Sequence, residues 1–186
     1  MISVGARYNC FSVFLGLAIV SSTLALGAQE RGTQDGEWPS YGGDLAHTRY
    51  SPLDQVNGDN FNDLEVAWRF RTDNFGPTPE FRFQSTPLMV NGVLYTTAGT
   101  RRAAVALDAA TGELLWFHRY DEGERGAAAP RRLSGRGLTY LDDGGDGKIF
   151  YVTPGYRLIG LNALTGQRLD DFGDDGIVDL KTELDQ

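Results

Sequence analysis

Few residues in this sequence could do chemistry, and they are scattered. His47 and His118 are isolated from each other and from any cysteine, so neither looks like a metal site. The run "DDGGDG", Asp142 to Gly147, is rich in carboxylates. It lacks the distal glutamate and the alternating spacing of an EF-hand loop, so it reads as a solvated hairpin. The stretch "PRRLSGRG" carries Arg131, Arg132 and Arg136. A guanidinium keeps its charge and forks onto a carboxylate through planar donors, so this is where an anion could be held. By position alone, Arg136 is a loop arginine bridging neighbouring sheets, and Arg131 and Arg132 are solvated loop charges. Gln84, directly before "STPLMV", can donate and accept, and by position alone it is a polar residue at the start of a strand.

The elements that must position these residues come from a repeat. "ALDAATGELLWFHR" (Ala106 to Arg119) returns as "GLNALTGQRLDDFG" (Gly160 to Gly173), with Thr111-Gly112 matched by Thr165-Gly166. In the first copy "STPLMV", "VLYTT", "AAVALD" and "ELLWFH" are short β-rich runs, and Asn91-Gly92 between the first two is a strong hairpin signal. In the second copy the runs are "GLTYL", "KIFYVT", "RLIGLN" and a weak "QRLD", where Asp170 stands in place of Trp116. Each unit is a four-stranded antiparallel meander of about fifty residues, the period of a propeller blade. Such a sheet cannot bury both faces alone and must stack on copies of itself. Within the turn, Asp108 can accept backbone N–H groups, Gly112 can take a positive φ, and Trp116 can lie between neighbouring sheets. "LEVAWRF", Leu64 to Phe70, resembles the fourth run, with Trp68 at the place of Trp116. No first three strands precede it, so the sequence is expected to be the N-terminal piece of a longer ring whose remainder supplies the partners.

Length and charge bound the rest. The 186 residues allow one ordinary domain once an N-terminal segment is set aside. Arg7, an apolar run from Phe11 to Val20 and the small residues of "LALGA" follow the order of a secretory signal peptide, residues 1–28. The run is shorter than the roughly 20 residues of a membrane span, an uncleaved anchor being the alternative. Cys10, the single cysteine, precedes the apolar core, so the exported chain has no disulfide and no cysteine metal site. The formal net charge is -8, and removing Met1 to Ala28 removes Arg7 and no acid, giving about -9. This argues against nucleic acid and anionic membrane surfaces as partners. Residues 29–63 form a polar, then ordered but aperiodic lead-in, and 64–186 hold the first strands and the first two blades.

The stretches "GEWPSYGGDLAHTRYSPLDQVN", "LEVAWRF", "STPLMVNGVLYT", "VALDAATGELLW", "RGLTY" and "FGDDGIVDL" come in one order. In that order they resemble the N-terminal part of quinoprotein dehydrogenases that use pyrroloquinoline quinone (PQQ). The "FGxxG" after the second repeat is most similar to the glucose and sugar dehydrogenase branch. The resemblance implies an all-β fold, an eight-bladed β-propeller with PQQ near its axis and a calcium or magnesium ion beside it. It implies a sugar or alcohol substrate whose hydroxyl is oxidised by hydride transfer to the quinone. It also implies a quinone or cytochrome as electron acceptor and a periplasmic location, with peripheral membrane association compatible with it.

Two positions carry over as cofactor-binding residues. Gln84 falls where many members have a glutamate that contacts the cofactor, so a hydrogen bond is kept and a charge is lost. Arg136 of "RGLTY" falls on the arginine that pairs with the quinone's carboxylate and carbonyl oxygens. Alcohol-oxidising members often have an adjacent cysteine pair shortly before this arginine, and "PRRLSGRG" has none, which favours the sugar branch. Arg131 and Arg132 then gain a second reading, as positive potential near an anionic quinone. The catalytic base and metal ligands are expected after Gln186, so no catalytic or metal residue is assigned here. A non-enzymatic scaffold propeller of the cell envelope is the alternative function.

Overall fold

The computed structural model describes residues 33–76, 78, 80–132, 135 and 137–182. Residues 1–28, expected to be a signal peptide, the first residues of the lead-in and Arg136 lie outside these.

Two four-stranded sheets are formed, each in simple meander order. The first contains β1 (Leu88–Val90), β2 (Val93–Ala98), β3 (Ala103–Asp108) and β4 (Leu114–His118). A short helix, α1 (Gly123–Ala127), lies in the connection to the second sheet. That sheet contains β5 (Thr139–Leu141), β6 (Lys148–Val152), β7 (Arg157–Asn162) and β8 (Ile177–Asp179). Every pairing is antiparallel. Asn91 (φ 51°) and Gly92 (φ 77°) both take positive φ, as a two-residue hairpin turn matched to strand twist requires. The backbone of Trp38 exchanges two hydrogen bonds with Met89 (2.7 and 3.1 Å), tying the lead-in to the free edge of β1.

β3 reads "AAVALD" and is buried from Ala103 to Leu107. Its small side chains let neighbouring layers approach from both faces. One continuous core joins the sheets. Leu88, Tyr95, Ala104 and Ala106 of the first pack with Ile149, Tyr151, Ile159 and Leu161 of the second, and Trp116 and Tyr140 close against them.

The repeated turn holds the sheets together. Asp108 Oδ1 accepts the Thr111 amide (2.7 Å) and hydroxyl (2.8 Å). Asn162 does the same for Thr165 at 2.9 and 3.1 Å. Gly112 (φ 74°) and Gly166 (φ 70°) then clear space for an indole from the preceding element. Trp68 covers Gly112 and its Nε1–H donates to the Ala109 carbonyl (3.1 Å). Trp116 covers Gly166 and donates to the Ala163 carbonyl (2.9 Å). Trp116 is thus a packing residue and Trp68 its counterpart. Residues 64–70 form no strand with any described segment, although Trp68 makes the fourth-strand contact.

One element differs from expectation. "QRLD" does not form the fourth strand of the second sheet; only Arg168 makes an isolated bridge, to Leu161. With Asp170 in place of a tryptophan, no indole anchors this stretch in the strand path. Phe172 instead turns inward, its ring centroid 5.1 Å from that of Phe150. Gly173 (φ 58°) and Gly176 (φ 82°) reverse the chain, and β8 pairs with β7 over Arg157 to Ile159.

Candidate functional site

Meander topology sorts the connections. The β1–β2, β3–β4 and β7–β8 turns lie at one end of the sheets. The segment entering β1, the β2–β3 turn, the linker leaving β4 and the β6–β7 turn lie at the other. That second end holds a cleft of about 710 Å³, lined from all four of these connections.

Gln84 lines it, is exposed, and makes no hydrogen bond to any described residue. Its position is set by its neighbour: Ser85 Oγ lies 3.0 Å from both Thr96 Oγ1 and Thr97 Oγ1 on β2. Gly137 (φ 100°), the "G" of "RGLTY", packs against Thr86; a Cβ there would stand 3.1 Å from the Thr86 carbonyl oxygen. Gly135 lines the cleft. The two chain neighbours of Arg136 therefore border the cleft and the strand entry beside Gln84.

The sequence alone did not reveal how many cations converge here. Arg82, Arg101, Arg102, Arg131 and Arg132 line the cleft against two acids, Asp121 and Glu122. This cationic end belongs to a chain of net charge -8. Arg101 reaches Asp121 at 3.9 Å. Arg102 spans the cleft's back wall, donating to the Val152 carbonyl (3.0 Å) and the Arg131 carbonyl (3.1 Å). The guanidinium groups of Arg82, Arg131 and Arg132 make no ion pair with a described residue. Glu122 is hydrogen-bonded locally: its carboxylate accepts the Thr153 hydroxyl and the Gly155 amide, each at 2.7 Å. Phe81 and Tyr120 add aromatic surface. The doublet "TRR" before β3 was the one sequence signal for Arg101 and Arg102; nothing in the chain marked Arg82 as their neighbour in space.

His118 is no part of the cleft. Its Nδ1 lies 3.0 Å from the Tyr151 hydroxyl between the sheets, and burial lowers its pKa, with Arg168 adding to the effect. In the "DDGGDG" loop, Asp143 Oδ1 accepts the Gly145 and Gly147 amides (3.1 and 3.3 Å), and these bonds help hold its pKa below the usual carboxylate value. Among the described residues no group of three His, Cys, Asp or Glu side chains could hold a metal ion.

Residues 38–186 match the family described as PQQ: glucose/ethanol/alcohol dehydrogenase, beta-propeller domain. The chain belongs to this family. Its two meander sheets are therefore blades of a β-propeller. The chain is 40% identical over 147 residues to the alcohol dehydrogenase (quinone) dehydrogenase subunit of Gluconobacter oxydans (strain 621H), covering 77% of this chain and 18% of that one. Quinoprotein glucose dehydrogenase A of Acinetobacter calcoaceticus is 32% identical over 172 residues, covering 81% and 21%. Among solved structures, quinohemoprotein alcohol dehydrogenase from Comamonas testosteroni superposes with a TM-score of 0.61 at 28% identity, over 81% of this chain and 20% of that one. The chain thus spans about a fifth of the length of the curated relatives it matches.

The cleft's donor set suits the cofactor of this family. PQQ is a planar quinone bearing carboxylates, and the cleft offers fixed cations, a free carboxamide and aromatic faces.

Proposed function

We propose that this chain forms part of the PQQ-binding end of a quinoprotein dehydrogenase that oxidises the hydroxyl of a sugar or alcohol. The observation that carries the reading is the cationic cleft beside Gln84 in an otherwise acidic member of this family. Export to the periplasm by the N-terminal segment fits the leader-like order of residues 1–28. No helix among the described residues is long and apolar enough to cross a membrane. The names of two relatives, one "(quinone)" and one "1-butanol dehydrogenase (cytochrome c)", support a quinone or cytochrome as electron acceptor. The calcium or magnesium ion of the family would take its ligands from outside the residues described here.

Each residue has a physical task in this reading. Bound in the cleft, PQQ would supply the quinone that accepts hydride from the substrate's carbinol carbon. Arg82, Arg131 and Arg132 supply positive potential that favours a polycarboxylate and opposes its escape. Arg136 pairs with the carboxylate and carbonyl oxygens through a planar fork, which an ammonium cannot reproduce. Gln84 offers an NH2 donor group and a carbonyl acceptor without adding negative charge near an anionic ligand. Phe81 and Tyr120 offer apolar surface at the edge of the cleft.

Titrating the full apo-protein with PQQ tests this reading. Arg136→Lys and Gln84→Ala should weaken binding, the former by about tenfold or more, as loss of a charge-assisted hydrogen bond implies. Arg69→Lys, away from the cleft, should bind as the wild type does. Equal affinity in all four proteins removes Gln84 and Arg136 from the site. No binding by the folded wild type favours the scaffold propeller instead.

A further inference from the structure

The linker from β4 to β5 walls the cleft with Glu122, Gly123, Gly126 and Ala127. These residues share one side of α1, and Arg125 does not line the cleft. Its guanidinium instead meets the Asp179 carboxylate in a two-pronged pair, Nη1 to Oδ2 at 2.5 Å and Nη2 to Oδ1 at 2.6 Å. Its Nε–H donates to the Gly155 carbonyl at 2.7 Å. All three guanidinium nitrogens are thus engaged, and Asp179 also accepts the Lys181 amide at 3.0 Å. Gly155 is held from the cleft side as well, since its amide donates to Glu122. Linker and β6–β7 turn are therefore pinned together from both flanks.

Asp179 closes β8, the strand that exists because the second repeat abandons its tryptophan path. Had "QRLD" continued as the fourth strand, no carboxylate of the Ile177–Asp179 segment would be paired along β7 here. The departure from the repeat and the placement of the clamp are one structural event.

We propose that Arg125 and Asp179 are positioning residues: they hold the linker against the second blade so that the cleft wall keeps the spacing its ligand requires. This rests on the reading of the cleft as a PQQ site. The clamp touches neither the ligand nor the reacting atoms. It acts by pre-ordering a wall that binding would otherwise have to order at its own cost.

The experiment compares the full apo-protein with Asp179→Asn, Arg125→Lys and Asp179→Glu. Amide hydrogen exchange is read without ligand, and PQQ affinity is read by titration. Asp179→Asn and Arg125→Lys should speed exchange across residues 120–129 while leaving Val93–Asp108 protected, which certifies an intact fold. Both should weaken PQQ about tenfold, the size of one lost charge-assisted hydrogen bond. Asp179→Glu, which keeps the carboxylate, should recover part of both. Unchanged linker exchange in Asp179→Asn and Arg125→Lys overturns the clamp. So does faster exchange with wild-type PQQ affinity. If the wild type itself binds no PQQ, the reading of the cleft fails, whereas exchange in the linker still decides whether the clamp exists.

Discussion

At the scale of residues, the fold depends on what two glycines leave out. A Cβ on Gly166 would stand 2.6 Å from Trp116 Cδ2, and one on Gly112 would stand 2.5 Å from Trp68 Cδ2. Both also hold a positive φ, which costs a side-chain-bearing residue about 1–2 kcal/mol by itself. Gly144 has a similar φ of 77° and open space around it. Gly144→Ala should therefore lower stability by that backbone cost alone. Gly166→Ala should lose clearly more, because the indole must also leave its carbonyl partner. Thermal melts of the two variants check this, and equal losses would mean that the indole contact contributes little. These turn residues were legible in the sequence because their chemistry is local: Asp108, Thr111 and Gly112 sit within one turn. The Arg125–Asp179 pair was not legible, since one partner comes from the linker helix and the other from β8, and nothing along the chain links them.

At the scale of elements, seven of the eight strands follow from alternating β-rich runs and turn signals, and the eighth does not. Pattern reading assigned "QRLD" because the repeat demanded a strand there. It could not weigh the loss of a tryptophan anchor against the packing of Phe172 on Phe150. α1 escaped notice for a related reason: five residues, two of them glycine, carry no helical period. The sheets also predict a response to pH. Burial between β4 and β6 depresses the pKa of His118 below its usual 6.5. A depressed pKa means that protons bind the unfolded state better, so His118 stabilises the fold above pH 6.5 and that contribution is lost as pH falls below it. Asp179 is depressed well below the usual 3.8, chiefly by its hydrogen bonds to Arg125, so its contribution is lost only in stronger acid. Melting temperature should fall in two stages on acidification. His118→Gln should remove the earlier stage, and Asp179→Asn should shrink the later one, to which Asp108 and Asp143 also contribute. A single stage insensitive to both substitutions would contradict this assignment.

At the scale of the whole molecule, the two blades bury their facing surfaces and leave others open. Leu115 and Phe117 point from β4 away from the second blade, and Leu64 and Val66 are exposed on the segment bearing Trp68. Apolar side chains grouped this way are characteristic of surfaces made to be covered. Residues 33–182 produced alone should bind an apolar fluorescent dye, and Leu115→Ser should reduce that signal without lowering the melting temperature. Wild-type dye binding in Leu115→Ser would place the sticky surface elsewhere. Propeller architecture was legible because one blade implies its neighbours. The cleft was legible only in outline, since five arginines from three connections meet by topology rather than by sequence proximity.

Arg131 and Arg132 stand side by side, exposed, on the rim of that cleft. Trypsin cuts after arginine, and this exposed doublet offers it two adjacent sites. A ligand seated against their guanidinium groups competes with the protease for the same side chains. Limited digestion of the full apo-protein should nick the chain at this doublet, and PQQ should slow the nick in proportion to its occupancy. Cleavage at exposed Arg69, outside the cleft, should be indifferent to it. The rim would thus report a filled cleft through the length of a peptide, with no turnover and no electron acceptor required.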